Sequence, residues 1–169
     1  LNYTKFADVI NGITNFSKNL NTGLGLYLSK SKDKKYDISI GNNFGYTSNR
    51  VAQNNSNSYF TTNTLSLDAT IYYKKVWSIS SDFQYYYRGK TSDFDQAQNN
   101  NLWNARLQRT FRSNEFTVYV KVRDILNQNI GIDRNYYGNT YTETRNDRLK
   151  RYFLLGFAWD FKNKAKKSK

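Results

Sequence analysis

The stretch Thr64-Leu-Ser-Leu-Asp-Ala-Thr-Ile-Tyr-Tyr-Lys-Lys-Val-Trp-Ser-Ile-Ser-Ser-Asp-Phe-Gln-Tyr-Tyr-Tyr-Arg88 decides the fold. In its first half Leu65, Leu67, Ala69, Ile71 and Tyr73 alternate with Thr64, Ser66, Asp68 and Thr70. After Lys74-Lys75 the alternation resumes, with Trp77, Ile79, Phe83, Tyr85 and Tyr87 set against Ser78, Ser80, Asp82, Gln84 and Arg88. A period of two belongs to a strand whose two faces differ chemically. Two such runs joined by a tight turn form a hairpin.

The pattern spreads outward from this hairpin. It predicts strands over 20–29, 35–47, 60–74, 76–89, 101–112, 115–124 and 149–161. Their apolar faces carry Leu24, Leu26 and Leu28, then Ile38, Ile40 and Phe44, then Ala105 and Leu107, and finally Val118, Val120, Val122 and Leu155. Soluble strands average about 5–6 residues, whereas a tilted strand crossing a bilayer needs about 9–11. These runs have the longer reach. The links between them alternate in length: Ser31–Lys34, Lys74–Lys75 and Ser113–Asn114 are short, and Thr47–Tyr59, Gly89–Asn100 and Ile125–Arg148 are long. Brief turns on one side and longer loops on the other are the habit of outer-membrane barrels.

A soluble up-and-down barrel also alternates in period two, but it packs its apolar face inward. Two features favour lipid instead. Tyr36, Tyr46, Tyr73, Trp77, Tyr87, Trp103, Phe111 and Trp159 sit near the ends of the apolar faces, where an interfacial girdle is expected. The opposite faces carry Asp68, Asp82, Arg88, Arg106, Lys121 and Arg123, which suit a wet lumen. Charges of alternating sign on adjacent strands are expected to pair along that wall. Arg109 breaks the apolar parity two residues from Phe111. Near a strand end it can snorkel, at about 0–1 kcal/mol rather than the roughly 2–4 expected at mid-membrane.

Composition narrows the chemistry. The 169 residues include 17% aromatics, 15 of them Tyr, and no Pro, Cys, Met or His. Cys-based nucleophiles, disulfides and zinc sites are excluded, as are His-based general bases and triads. No catalytic, cofactor-binding or metal residue is assigned, and an enzyme is not expected. Asp93-Phe-Asp95 is too weak a pattern for calcium. The net charge of +13 invites nucleic acid. However, the lysine clusters at 30–35 and 162–169 flank alternating strands rather than a recognition helix, so nucleic acid is not an expected partner.

Two segments carry a family resemblance. Tyr152-Phe-Leu-Leu-Gly-Phe-Ala-Trp-Asp-Phe161 looks like the C-terminal β-signal of outer-membrane proteins, with Phe153, Phe157, Trp159 and Phe161 as its aromatics. Phe116-Thr-Val-Tyr-Val-Lys-Val-Arg-Asp-Ile-Leu-Asn-Gln-Asn129 resembles the penultimate strand of TonB-dependent receptors and their large barrel relatives. The resemblance covers about 20–161. It implies that seven or eight antiparallel transmembrane strands form the last third of a barrel of roughly 22, enclosing an N-terminal plug. It also implies the outer membrane of a Gram-negative cell, a periplasmic C-terminus and import of a bulky nutrient. The implied partners are outer-membrane lipid and lipopolysaccharide, the rest of the barrel with its plug, the barrel-assembly machinery, TonB and a surface lipoprotein. A small eight-stranded barrel with a structural, adhesion or assembly role is the alternative reading, and a soluble basic β-protein is a third.

Within the long excursion, Asp133, Arg134, Tyr136, Tyr137 and Tyr141 offer stacking faces and hydrogen bonds for a polar ligand such as a glycan. Residues 1–18 are expected to be the end of a preceding extracellular loop or an extra strand, in which Asn11-Gly12 marks a turn. Residues 19–161 hold the barrel strands and 162–169 a basic tail. The chain starts at Leu1 without an initiator Met or leader, as a fragment or processed product would.

Overall fold

A computed structural model describes residues 1–10, 12–52, 56–91, 97–111, 115–129, 131–137 and 140–160. Among these residues ten strands follow one another: β1 (Asn2–Ile10), β2 (Ile13–Lys32), β3 (Tyr36–Val51), β4 (Ser56–Tyr73), β5 (Trp77–Arg88), β6 (Gln98–Phe111), β7 (Phe116–Arg123), β8 (Ile132–Tyr137), β9 (Thr140–Arg145) and β10 (Tyr152–Trp159). No helix occurs among the described residues. Eight strands form one antiparallel sheet in the order β1-β2-β3-β4-β5-β6-β7-β10, while β8 and β9 form a separate two-stranded hairpin. The sheet is a barrel wall with its edges open: β1 and β10 each have a single neighbour within it.

The ladders run in unbroken register, so the two faces can be traced from strand to strand. On the apolar face Leu155, Val120, Leu107, Ile79, Ile71 and Tyr36 are successive cross-strand partners. A second row joins Trp103, Phe83, Leu67, Ile40 and Leu28. Most of these side chains are exposed in the chain alone, Leu155 by 78%, Ile79 by 56% and Val120 by 44%. Burial is found on the other face, at Asn15, Ser17, Asn49, Ser58, Arg88, Gln98 and Asn104, with Val51 the one buried hydrophobic among the described residues. Soluble domains bury apolar groups and expose polar ones. Here the order is reversed, as it must be when hydrocarbon is the outer solvent.

At the long-loop end β2, β3, β4 and β6 extend beyond the sequence expectation, whereas β5, β7 and β10 stop one to three residues short of it. The expected loop Thr47–Tyr59 is mostly ladder, because β3 continues to Val51 and β4 begins at Ser56. β2 likewise starts at Ile13 and pairs there with β1. Ser, Thr and Asn fill both faces in these parts, so no contrast betrays the period, yet backbone pairing needs none. The excursion between β7 and β10 contains the β8–β9 hairpin, in which Tyr136 opposes Tyr141.

The short-turn end is tight. In the β4–β5 turn Val76 N–H donates to Tyr73 O at 3.3 Å, and Lys74 and Lys75 both have positive φ, 50° and 59°. Three residues, Lys74 to Val76, link the closing pair Tyr73–Trp77, and the two left-handed positions favour Asn and Gly, since that backbone costs an ordinary L-residue about 1–2 kcal/mol. The lysines keep a compensating contact, with Lys74 Nζ 5.2 Å from the centre of the Tyr73 ring. Replacing Lys74-Lys75 with Asn-Gly should stabilise the folded protein by about 1 kcal/mol. Urea unfolding in lipid vesicles would read this as a higher midpoint, and an unchanged or lower midpoint would refute the strain.

Candidate functional site

The two faces and the long-loop end hold the residues with chemistry. On the apolar face the aromatics fall into two groups. Tyr36, Tyr73, Trp77, Phe111 and Trp159 lie at the short-turn end, joined by Phe116, whose ring stacks 5.3 Å from Trp159 and 5.9 Å from Phe157. Tyr46 and Tyr87 lie toward the long-loop end, each ten residues along the strand from Tyr36 and Trp77 respectively. At about 3.3 Å per residue and a tilt near 40°, ten residues rise about 25 Å along the barrel axis. That is the height of the apolar band of an outer-membrane barrel.

Trp103 lies inside this band, eight residues from Phe111. Its indole N–H donates to Ser81 Oγ at 2.9 Å, so the donor is satisfied locally. Arg109 does not simply reach for water. Its guanidinium sits 5.0 Å from the Trp77 ring and 4.6 Å from the Phe111 ring, held between two members of the aromatic group.

The polar face brings Asp68, Asp82, Arg88, Arg106, Lys121 and Arg123 to one side of the sheet, but their neighbours differ from expectation. Asp68 is opposite Asp82, and Arg106 is opposite Lys121. The acids of β4 and β5 face each other, as do the bases of β6 and β7, so among the described residues Asp68, Asp82, Arg106, Lys121 and Arg123 form no ion-pair ladder. The cause is register, which the alternation alone does not disclose. Neutral groups accompany several charges on this face. Asn104 Nδ2 donates to Asp82, Ser39 Oγ to Asp68 at 3.4 Å, and Ser31 and Tyr72 hydroxyls to Asp37. Arg106 lies 4.1 Å over the Tyr119 ring, and Arg88 lies 4.1 Å over the Phe60 ring. Arg88 stands six residues from Asp82 toward the long-loop end and is buried.

A turn built by Asp124 organises the long-loop end. Asp124 takes φ 51°, and its carboxylate accepts the backbone N–H groups of Gln128 (2.9 Å) and Asn129 (3.1 Å). Its own N–H donates to Asn104 Oδ1 at 3.0 Å. Asn127, at φ 58°, accepts the Arg151 N–H on Oδ1 at 3.1 Å and so aims the chain into β10. Gln98 Nε2 donates to Ile132 O at 2.7 Å, and Asn101 Nδ2 to Gln128 Oε1 at 2.8 Å. These residues were not singled out as site residues in the sequence. The signal was present, since Asp124 and Asn127 belong to the Asp-Ile-Leu-Asn-Gln-Asn run after β7. Its physical content is a carboxylate capping two orphan amides.

Asp133, Arg134, Tyr136, Tyr137 and Tyr141 all belong to the β8–β9 hairpin, and the side chains of these five lie outside the described residues. So do Asp93, Asp95, Phe161 and the basic tail 162–169. Among the described residues no cluster of three metal-ligating side chains occurs.

Comparison with known proteins agrees with this geometry. The outer membrane protein beta-barrel family matches residues 7–159, nearly the whole chain. The chain belongs to that family. No curated protein matches it, and neither does any solved structure. Membership places this inside-out sheet in an outer-membrane barrel and gives its exposed apolar face to lipid.

Two outcomes follow. Arg at Leu67 or Val120 should cost roughly 2–4 kcal/mol and block insertion, while Arg at Ser66 or Thr117 should be tolerated. Heat-modifiable gel mobility of membrane fractions reads this, and equal tolerance at both pairs would reverse the faces. Asp124→Ala strips two amides of their acceptor, at about 1–3 kcal/mol each. Limited proteolysis of the folded protein should then cut faster within 125–150 while the sheet stays resistant.

Proposed function

We propose that this chain forms the closing strands of a TonB-dependent-receptor-like transporter that imports a bulky nutrient across the outer membrane. The observation that carries this reading is the pair of open edges. In hydrocarbon every backbone N–H and C=O needs a partner, and an unpaired strand edge is not tolerated. β1 and β10 each leave one edge unpaired, which favours a wall completed by further strands over a closed barrel of eight. A large barrel has room for a plug and a solute path, whereas eight strands leave an interior that side chains fill.

In this reading the short turns and the C-terminus face the periplasm, and the long loops face outward. The β8–β9 hairpin, tied to β6 through the Gln98–Ile132 hydrogen bond, belongs to the outward-facing excursion that meets the nutrient. The plug, TonB and a surface lipoprotein act through the rest of the barrel. Lipopolysaccharide surrounds its outer rim, and the assembly machinery reads β10. The protein moves its ligand without transforming it. The small eight-stranded barrel retains one argument: β1 and β10 run antiparallel to each other, as a direct closure would require.

Two measurements test the reading. Cysteine introduced at Asn54 or Asn139 should be labelled on intact cells by a membrane-impermeant maleimide, and cysteine at Lys34 or Lys74 only after lysis. The reverse pattern would invert the topology. Cells carrying the full-length protein should grow on glycans or metal chelates too large for general pores, and an uncoupler of the inner membrane should abolish that advantage. Growth indifferent to both the protein and the uncoupler would reject energy-coupled import.

A further inference from the structure

The polar face carries its charge in two adjacent cross-strand rows. One row runs Lys121, Arg106, Ser80, Thr70, Asp37 and Ser31, and the next runs Asn104, Asp82, Asp68 and Ser39. Arg123 lies two residues beyond Lys121 on the same face. The belt is therefore basic on β6 and β7 and acidic on β3, β4 and β5. Like charges directly opposite each other destabilise a sheet. A belt with a structural task would have interleaved them.

We propose that the inner face of β6 and β7 is a binding site for an oxyanion, a phosphate or carboxylate group carried by a solute, formed by Arg106, Lys121 and Arg123. Among the described residues no carboxylate pairs with any of the three. Asp82 on the neighbouring β5 is held by Asn104, and Asp124, next to Arg123 in the chain, accepts the backbone N–H groups of Gln128 and Asn129. Arg106 is preset for the task. It lies 4.1 Å over Tyr119, and its buried Nε has no hydrogen-bond partner.

Tyr119 is fixed in turn, because it occupies the space beside Gly156 that any Cβ there would need, 2.0 Å from the ring. A guanidinium stacked on a ring keeps its outer N–H fork free for an oxyanion. Lys121 is the direct cross-strand partner of Arg106, about 5 Å away at the Cα, so both can reach one anion. The carboxylates of Asp37, Asp68 and Asp82 repel an anion from the rest of the belt and confine it to β6 and β7. This inference rests on reading the polar face as a water-filled barrel interior.

The test uses full-length protein extracted folded in detergent, with folding checked by mobility on unboiled gels. It is titrated with inorganic pyrophosphate by calorimetry at low salt. Wild type and a Lys32→Gln/Lys35→Gln variant, which loses two charges at a turn, should bind alike. Lys121→Gln/Arg123→Gln should weaken binding about tenfold or more, as expected for loss of a charge-assisted contact. This variant leaves the Arg106–Tyr119 stack untouched. Arg106→Gln should add to the loss, and Asp68→Asn/Asp82→Asn should bind at least as tightly as wild type. Folded wild type that takes up no pyrophosphate would overturn the site, and so would a turn variant that loses as much as the β7 variant. Import that ignores the uncoupler while pyrophosphate binding persists would sink the transport reading and leave this site standing.

Discussion

Hydrocarbon offers no hydrogen bonds, and that deprivation shapes the whole chain. Every amide in the wall must be paired across strands, so the ladder has to be continuous. The β2–β3 ladder runs from Ser17–Val51 to Lys32–Tyr36 without a bulge, and β3–β4 runs equally unbroken from Val51–Ser56 to Tyr36–Ile71. Proline, which brings no N–H, is absent from all 169 residues. The same rule extends to side chains at membrane depth. Trp103 turns its indole N–H onto Ser81, and Asn42 Nδ2 donates to Asn63 Oδ1 at 2.8 Å on the lipid-facing side. Polar groups survive there by pairing with each other.

Alternation made the membrane part of each strand legible, because Leu65, Leu67 and Ile71 differ so plainly from Ser66, Asp68 and Thr70. It went silent where both faces are polar. Asn49, Arg50, Ser58 and Gln98 pair in the ladder with no apolar partner to mark the period. β1 escaped clear reading for a related reason, since Tyr3, Lys5, Ala7 and Val9 make a mixed face. The β8–β9 hairpin was hidden in a segment whose residues suit loops as well as strands. Periodicity also gives parity without register. It could put Asp68 and Asp82 on one face, yet it could not reveal that they stand opposite each other.

Arg109 shows how the boundary between solvents is managed. A lone guanidinium among Trp77, Phe111 and Val118 looks like an error when only hydropathy is counted. Rings on two sides supply an attraction worth about 0.5–2 kcal/mol, comparable with the interfacial cost of the charge. The position lies in the aromatic group, close to head groups, where both polar and apolar contacts are within reach. Here the aromatic girdle solvates a cation as well as anchoring the wall.

The inner face follows a different logic from a packed core. A dry interior would make the Asp68–Asp82 and Arg106–Lys121 neighbours very costly, since like charges at short range repel strongly at low dielectric. Water and neutral donors lower that cost, and the serines, threonines and asparagines around the belt supply the donors. The arrangement is therefore stable only if the interior stays wet. A wet interior also gives the charges something to act on, because mobile anions meet a basic flank beside an acidic one. Segregated charge is thus a mark of a surface kept for contact with solutes, and lipid on the other face leaves that surface nowhere else to point.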